Sequence, residues 1–310
     1  MGKVIIFYKY VHIEYPKQVL KWQKKICQEL GLKGRIFLAH EGINGTLGGP
    51  TEHIERYKKI MSEHPLFGGI DYKESPGNAD FFPRLYVVVR TEIVHLGISP
   101  QTLTAAQGGV HLKPDQVHAL IERKPDNLVI LDMRNDYESR IGKFEGAITP
   151  PIENFRELPA YIDQHLDQFK DKQVLAYCTG GIRCERATAY LKQKQVTQEV
   201  YQIEGGIQRY VEQYPDGYFR GKNYVFDDRI AVKITDDILT QCDLCPTACD
   251  EYTNCMNAEC NAHYIACAQC RQQYANCCSQ RCTDLVISKQ VKMRPERPKI
   301  DPAFCTITKQ

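Results

Sequence analysis

A cysteine followed by two glycines and an arginine, set between a strand-like and a helix-like run, can make an acidic thiol. The segment is QVLAYCTGGIRCERATAYLKQK, residues 173–194. An apolar strand ends at Cys178, and a helix begins at about Cys184. The turn contributes Thr179, Gly180, Gly181 and Ile182. The two glycines let backbone N–H groups converge on one point. The helix start adds positive potential there, and Arg183 adds a fixed charge. Such a thiol should ionise below its ordinary pKa of about 8.5 and act as a nucleophile at neutral pH. The bland alternative is a buried cysteine that merely ends a strand; it would need neither the glycine pair nor the arginine. Cys184 is either a resolving thiol or simply the start of the helix. Asp132 and Arg134, in LDMRNDYE at the end of another strand, are expected near the ligand side of a parallel sheet. They either take a direct part or form an ion pair that props the loop.

A second cysteine chemistry lies further on. Of 14 cysteines, ten fall between 242 and 282: Cys242, Cys245, Cys249, Cys255, Cys260, Cys267, Cys270, Cys277, Cys278 and Cys282. Cys242/Cys245 and Cys267/Cys270 have the C-x2-C spacing of thiolate zinc sites. One or two structural zinc ions are expected from a subset of the ten. An iron–sulfur cluster is the rival and disulfides the third possibility. Spacing does not say which cysteines share a metal. His263 reads as a surface residue.

The elements that would position these groups fall into modules. Residues 1–94 alternate as βαββαβ with one further strand, the pattern of a ferredoxin-like (acylphosphatase-like) α+β domain. Residues 95–113 are poor in large apolar side chains and read as a linker. From 114 to 222, buried-type strands alternate with helices of about ten residues, which predicts a doubly wound parallel sheet. Residues 223–288 hold the cysteine-rich module, and 289–310 read as a basic, flexible tail with Lys289, Lys292, Arg294, Arg297 and Lys299.

The 40 basic and 38 acidic side chains in 310 residues leave a formal charge of +2. No global field favours a polyanion, so any such contact must be local. Lys17, Lys21, Lys24 and Lys25 on one helix, Arg35 and the tail are the candidates. The first apolar run is broken by Lys9, His12 and Pro16, unlike a signal peptide, and no stretch reaches the roughly 18 apolar residues of a membrane span. A cytoplasmic location and no membrane partner are expected.

The cysteine loop, together with LDMRNDYE (131–138), GAITPP (146–151) and EGGI (204–207), resembles rhodanese domains. In those domains the loop amides cradle a persulfide. A related phosphatase fold carries one more residue between cysteine and arginine than the four found here, so the loop should prefer a terminal sulfur to a phosphate. The flanks extend the likeness. LAHEGINGTLGG (38–49), RLYVVVRTEIVHLG (84–97), NYVFDDRIAV (223–232) and the cysteine block, in this order, resemble the oxygen-dependent tRNA uridine hydroxylase family. That resemblance implies 5-hydroxylation of the wobble uridine, position 34, of tRNA, giving 5-hydroxyuridine. Molecular oxygen would be the co-substrate and Cys178 the persulfide or thiolate centre. tRNA is then the partner, and oxygen chemistry requires an electron donor that the residues do not specify. No flavin, haem or nucleotide motif is seen. Two other readings stay open: a sulfurtransferase moving sulfane sulfur, and a non-catalytic zinc-dependent binding module.

Overall fold

The computed structural model describes residues 2–295 and 300–307. The N-terminal domain runs β1 (Gly2–Tyr10), α1 (Pro16–Glu29), β2 (Lys33–Ala39), β3 (Gly42–Pro50), α2 (Thr51–Glu63), β4 (Lys73–Pro76) and β5 (Leu85–Val89). Its sheet has the order β4-β1-β3-β2-β5, antiparallel except where β2 meets β5. Pro16 opens α1 with a preset φ, and Gly31, at φ +60°, ends it where a side chain would be strained. Strand alternation then divides the residues. Ile5, Phe7, Ile36, Leu38, Ile43 and Leu47 form one buried core with Ile26, Cys27, Ile54, Tyr57 and Met61 of the two helices. The alternate set, which includes Ile6, Tyr8, Arg35, Phe37, Asn44 and Thr46, is left on the face that no helix covers.

The central domain runs β6 (Val110–Leu112), α3 (Pro114–Arg123), β7 (Leu128–Asp132), α4 (Asp136–Ser139), β8 (Gly142–Phe144), α5 (Leu158–Gln164), β9 (Gln173–Tyr177), α6 (Ile182–Gln193), β10 (Glu199–Ile203) and α7 (Gly206–Gln213). Its four-stranded sheet is parallel, in the order β6-β10-β9-β7. On β9, Val174 and Ala176 pack beneath α5 and α6, while Leu175 and Tyr177 pack against α3 and α7. Two apolar faces on one strand explain its unbroken hydrophobic run. This is the doubly wound arrangement expected from the sequence.

The segment read as a linker differs from a free tether. Residues 110–112 are β6, an edge strand of the parallel sheet, and Leu96 and Leu103 are buried in its core. The polar His111 and exposed Val110 of a three-residue edge strand leave little periodicity to read.

The C-terminal part comprises β11 (Phe219–Tyr224), β12 (Ala231–Lys233), β13 (Tyr252–Asn254), β14 (His263–Ile265), α8 (Ala268–Gln273) and α9 (Gln280–Ile287). β11 crosses the boundary expected at 222/223 and pairs with β8 of the central domain. The tail departs from a free chain as well. The Arg294 amide donates to the Met256 carbonyl at 2.8 Å and its Nε to the Cys255 carbonyl at 3.0 Å. Ile307 N–H donates to the Lys233 carbonyl, and Phe304 packs edge-on to Phe81. Basic composition concealed these anchors. Arg297 and Lys299 lie outside the described residues. No described helix is long and apolar enough to cross a membrane.

Candidate active site

Cys178 sits at the carboxyl end of β9, fully buried, and α6 begins at Ile182, two residues earlier than its sequence suggests. Gly181 N–H donates to the Cys178 sulfur at 3.2 Å. Gly181 is at φ +99°, so the turn that aims this amide is open to glycine and strained for other residues. A second glycine holds the loop from behind. Gly206 starts α7, and a Cβ there would lie 2.4 Å from the Cys178 carbonyl oxygen and 2.8 Å from Gly181 N. The Ile207 and Gln208 amides donate to the carbonyls of Cys178 and Thr179. EGGI is therefore a backbone clamp on the cysteine loop.

Burial pushes the Cys178 thiol up, but the Cys184 thiol donating to it, the Arg183 charge and the amides of residues 184 and 183 outweigh that and bring it down to about 6. Cys184, equally buried, goes the other way: burial first, then the neighbouring Cys178 thiolate, hold it protonated. One sulfur is thus an anion and its neighbour a donor. Arg183 is fixed by a bidentate pair with Glu138, Nη2 to Oε2 at 2.8 Å, and it reaches Thr179 Oγ1 at 3.3 Å. Glu138 was visible only as the last residue of LDMRNDYE. Asp132 and Arg134 pair with each other instead, Nε to Oδ1 at 2.9 Å, with both side chains fully buried. Arg134 also lies 5.6 Å from the Tyr177 ring centre. They do not line the cavity over Cys178.

That cavity, about 290 Å³, lies between the central domain and the uncovered face of the N-terminal sheet. Cys178, Thr179, Gly180, Ile182 and Arg183 form one side; Ile6, Tyr8, Arg35, Phe37, Asn44 and Thr46 form the other. Val94, Phe155, Val225 and Phe226 close its edges. The domains are locked across it. Tyr8 OH donates to Glu185 Oε1 at 2.8 Å, where His111 and Gln202 also converge. The buried Arg186 guanidinium pairs with Glu92 and donates to the carbonyls of Leu103 and Ile98. Sequence reasoning missed Tyr8, Phe37, Asn44 and Phe226, because no motif marks which face of a strand will meet another domain. Arg35, chosen for its charge, does line this cavity. Lys17, Lys21, Lys24 and Lys25 are exposed on α1, on the opposite side of the sheet.

The cysteine block gathers into two sets of four. Cys242, Cys245, Cys267 and Cys270 have sulfurs within 4.8 Å of one another, and so do Cys255, Cys260, Cys278 and Cys282. Either set could hold a metal ion. The Cys245–Cys267 and Cys260–Cys278 sulfurs are 3.7 and 3.6 Å apart. A tetrahedron with metal–sulfur bonds of about 2.3 Å has edges of about 3.8 Å, so each set fits one tetrahedral ion. A disulfide would need about 2.05 Å. Cys249 and Cys277 fall outside both sets. His263 stacks on Tyr252, with centroids 4.4 Å apart, and bonds Asn254, so it belongs to neither.

A parallel sheet with a strand-end cysteine in an amide-lined loop defines a rhodanese-type domain. The matching family models agree: an UPF0176 acylphosphatase-like domain over residues 2–93, a rhodanese-like domain over 113–213, and a rhodanese C-terminal domain over 220–283. The chain is 40% identical to a tRNA uridine(34) hydroxylase of Corynebacterium jeikeium, over 91% of this chain and 94% of that one. It is 38% identical to the enzyme of that name from Cytophaga hutchinsonii, over 90% and 89%. The chain belongs to the tRNA uridine(34) hydroxylase family.

With its thiol held near 6, Cys178 should be more than half thiolate at pH 7. Alkylation by iodoacetamide at Cys178, followed by peptide mass spectrometry, should rise with a midpoint near pH 6. Cys27, pushed up to about 12 by burial, should stay unreacted over the same range. Faster reaction at Cys27 in the folded protein would refute the amide-cradle argument.

Proposed function

We propose that this chain is a cytoplasmic enzyme that hydroxylates carbon 5 of uridine 34 in tRNA. The observation that carries this reading is the cavity itself: an acidic thiol faces a slot of about 290 Å³, lined by Tyr8, Phe37, Phe155 and Phe226 and roomy enough for a pyrimidine base, between two domains. An anticodon base can enter such a slot only when unstacked. The overall change inserts one oxygen atom of O2 into the C5–H bond; two electrons and two protons convert the other atom to water. The electrons come from a donor separate from the chain. In this reading Cys178 carries the reacting sulfur, as persulfide or thiolate, and the Thr179–Cys184 loop stabilises its charge. Glu138 and Thr179 position Arg183, while Asp132 and Arg134 support the end of β7 beside the loop. Zinc is the ion proposed for the two four-cysteine sets, with a structural role.

The test is incubation of purified protein with unmodified tRNA transcript, oxygen and a chemical reductant, followed by nucleoside mass spectrometry. 5-Hydroxyuridine at position 34 is the expected product. Formation of a thiolated base from a persulfide donor, with no hydroxylated one, would replace this function by sulfur transfer.

A further inference from the structure

The uncovered strand face does more than close the cavity. Asn44 lies in the middle strand β3, with Tyr8 of β1 and Phe37 of β2 as its cross-strand partners. Its side-chain Nδ2 donates to the Ile93 carbonyl at 2.9 Å. A carbonyl can only accept, so this bond fixes the amide orientation. Nδ2 is committed to Ile93, and Oδ1 is the atom left for the cavity. Oδ1 accepts no hydrogen bond among the described residues, although Asn44 is half-buried in a largely apolar slot. A fixed acceptor in that setting favours a ligand with an N–H to offer.

Two aromatic rings flank the same space. Phe37 stands beside Asn44 on the strand face, and Phe226, 39% exposed, closes the mouth from the C-terminal part. Together they supply planar apolar surfaces for a base, while Asn44 addresses its edge. Uracil and cytosine differ at that edge. N3 of uracil carries a hydrogen, whereas N3 of neutral cytosine carries a lone pair. Against an Oδ1 that cannot turn, uracil makes a hydrogen bond, and cytosine sets acceptor against acceptor.

We propose that Asn44 is the residue that selects uracil over cytosine, by accepting from N3–H of the base held over Cys178. The inference rests on the proposed hydroxylation of uridine 34. It adds a specificity role for a side chain outside the cysteine loop.

The test is a competition between two otherwise identical unmodified tRNA transcripts, one with U34 and one with C34, reading 5-hydroxyuridine and 5-hydroxycytidine together. The wild type should strongly favour the U34 transcript. Asn44→Ala should lower kcat/KM on U34 by roughly 10- to 100-fold, leave any reaction on C34 nearly unchanged, and shift the product ratio towards parity. Asn44→Asp separates reading from support: it keeps an acceptor facing the base but loses the donor to Ile93, so it should retain the preference for U34 even if both rates fall. An active wild type whose product ratio is unchanged in Asn44→Ala would overturn the role of Asn44 alone. So would equal loss of preference in the Ala and Asp variants. A wild type that forms no 5-hydroxyuridine would overturn the underlying hydroxylation, and this inference with it.

Discussion

Replacing Cys178 with serine should reduce 5-hydroxyuridine formation to background, a loss on the order of 10³-fold or more, while tRNA binding and thermal stability stay near wild type. The side chains are nearly the same size, and the Gly181 amide that donates to the sulfur at 3.2 Å can donate to a hydroxyl. What disappears is an atom that is anionic at neutral pH and able to carry a second sulfur. Because the folded thiol is held down to about 6, the wild-type rate should fall as pH drops through about 6 and be near its plateau at pH 7. The sign follows from the lowered value: the reactive anion exists above it and is protonated below it. Cys184→Ser is the informative companion. Cys184 is buried and protonated, donating to the Cys178 sulfur; serine keeps an O–H that can donate there and should leave the pH profile near wild type, whereas Cys184→Ala removes the donor and should raise the Cys178 pKa and move the profile upward. If Cys184 only supports the thiolate, multiple turnover continues; a resolving role would stop the variant after one cycle. Wild-type product formation by Cys178→Ser would remove the cysteine from the chemistry.

The cysteine loop was legible because it is local. Six consecutive residues carry the turn, the amides and the charge, and the glycines have few other reasons to be adjacent. The alternation of apolar strands and helices that marks the doubly wound sheet is equally local, and the ferredoxin-like order of the first domain follows from it. What stayed hidden depends on separations of tens to hundreds of residues. Tyr8 reaches Glu185 across 177 positions, and Arg35 reaches the Phe226 carbonyl across 191. Each strand of the first sheet announces two faces, yet nothing in its pattern says that one will be covered by another domain rather than by water. Where the basic residues fall relative to the cavity was hidden for a related reason. Charge on α1 is conspicuous in sequence, but a helix that packs on one side of a sheet presents its lysines away from a site on the other. Asp132 and Arg134 stayed open between a direct part and a propping ion pair, because a charged pair at a strand end does not show in sequence that its partners are each other.

Grouping of the ten clustered cysteines could not be read from spacing, yet it sets the expected effect of removing metal. Along the chain the pairs alternate: 242/245 and 267/270 serve one set, and 255/260 and 278/282 the other. Neither set can form from one half of the module, so each closes a loop that contains ligands of its neighbour. Cys270→Ser should therefore lower bound metal towards zero, not merely from two ions per chain to one. Cys249→Ser and Cys277→Ser, outside both sets, should keep two. The apolar core of this module is itself built largely around buried cysteines, among them Cys242, Cys255, Cys270 and Cys282. Without ligation it has little else to hold it, and structural zinc contributes folding free energy on the order of 10 kcal/mol. The consequence should reach the active site. β11 is shared with the central domain, Tyr252 OH donates to the Tyr137 carbonyl at 2.8 Å, and Val225 and Phe226 form an edge of the cavity. Stripping metal with a strong chelator should open the chain to protease beyond about residue 230 and raise KM for tRNA more than it lowers kcat, because the reacting loop lies in a separately built core. Elemental analysis, limited proteolysis and steady-state kinetics on the same sample check the three parts. A metal-free protein that stays protease-resistant through residue 287 would contradict the interlocked arrangement, as would a Cys270→Ser variant that retains one full equivalent of metal.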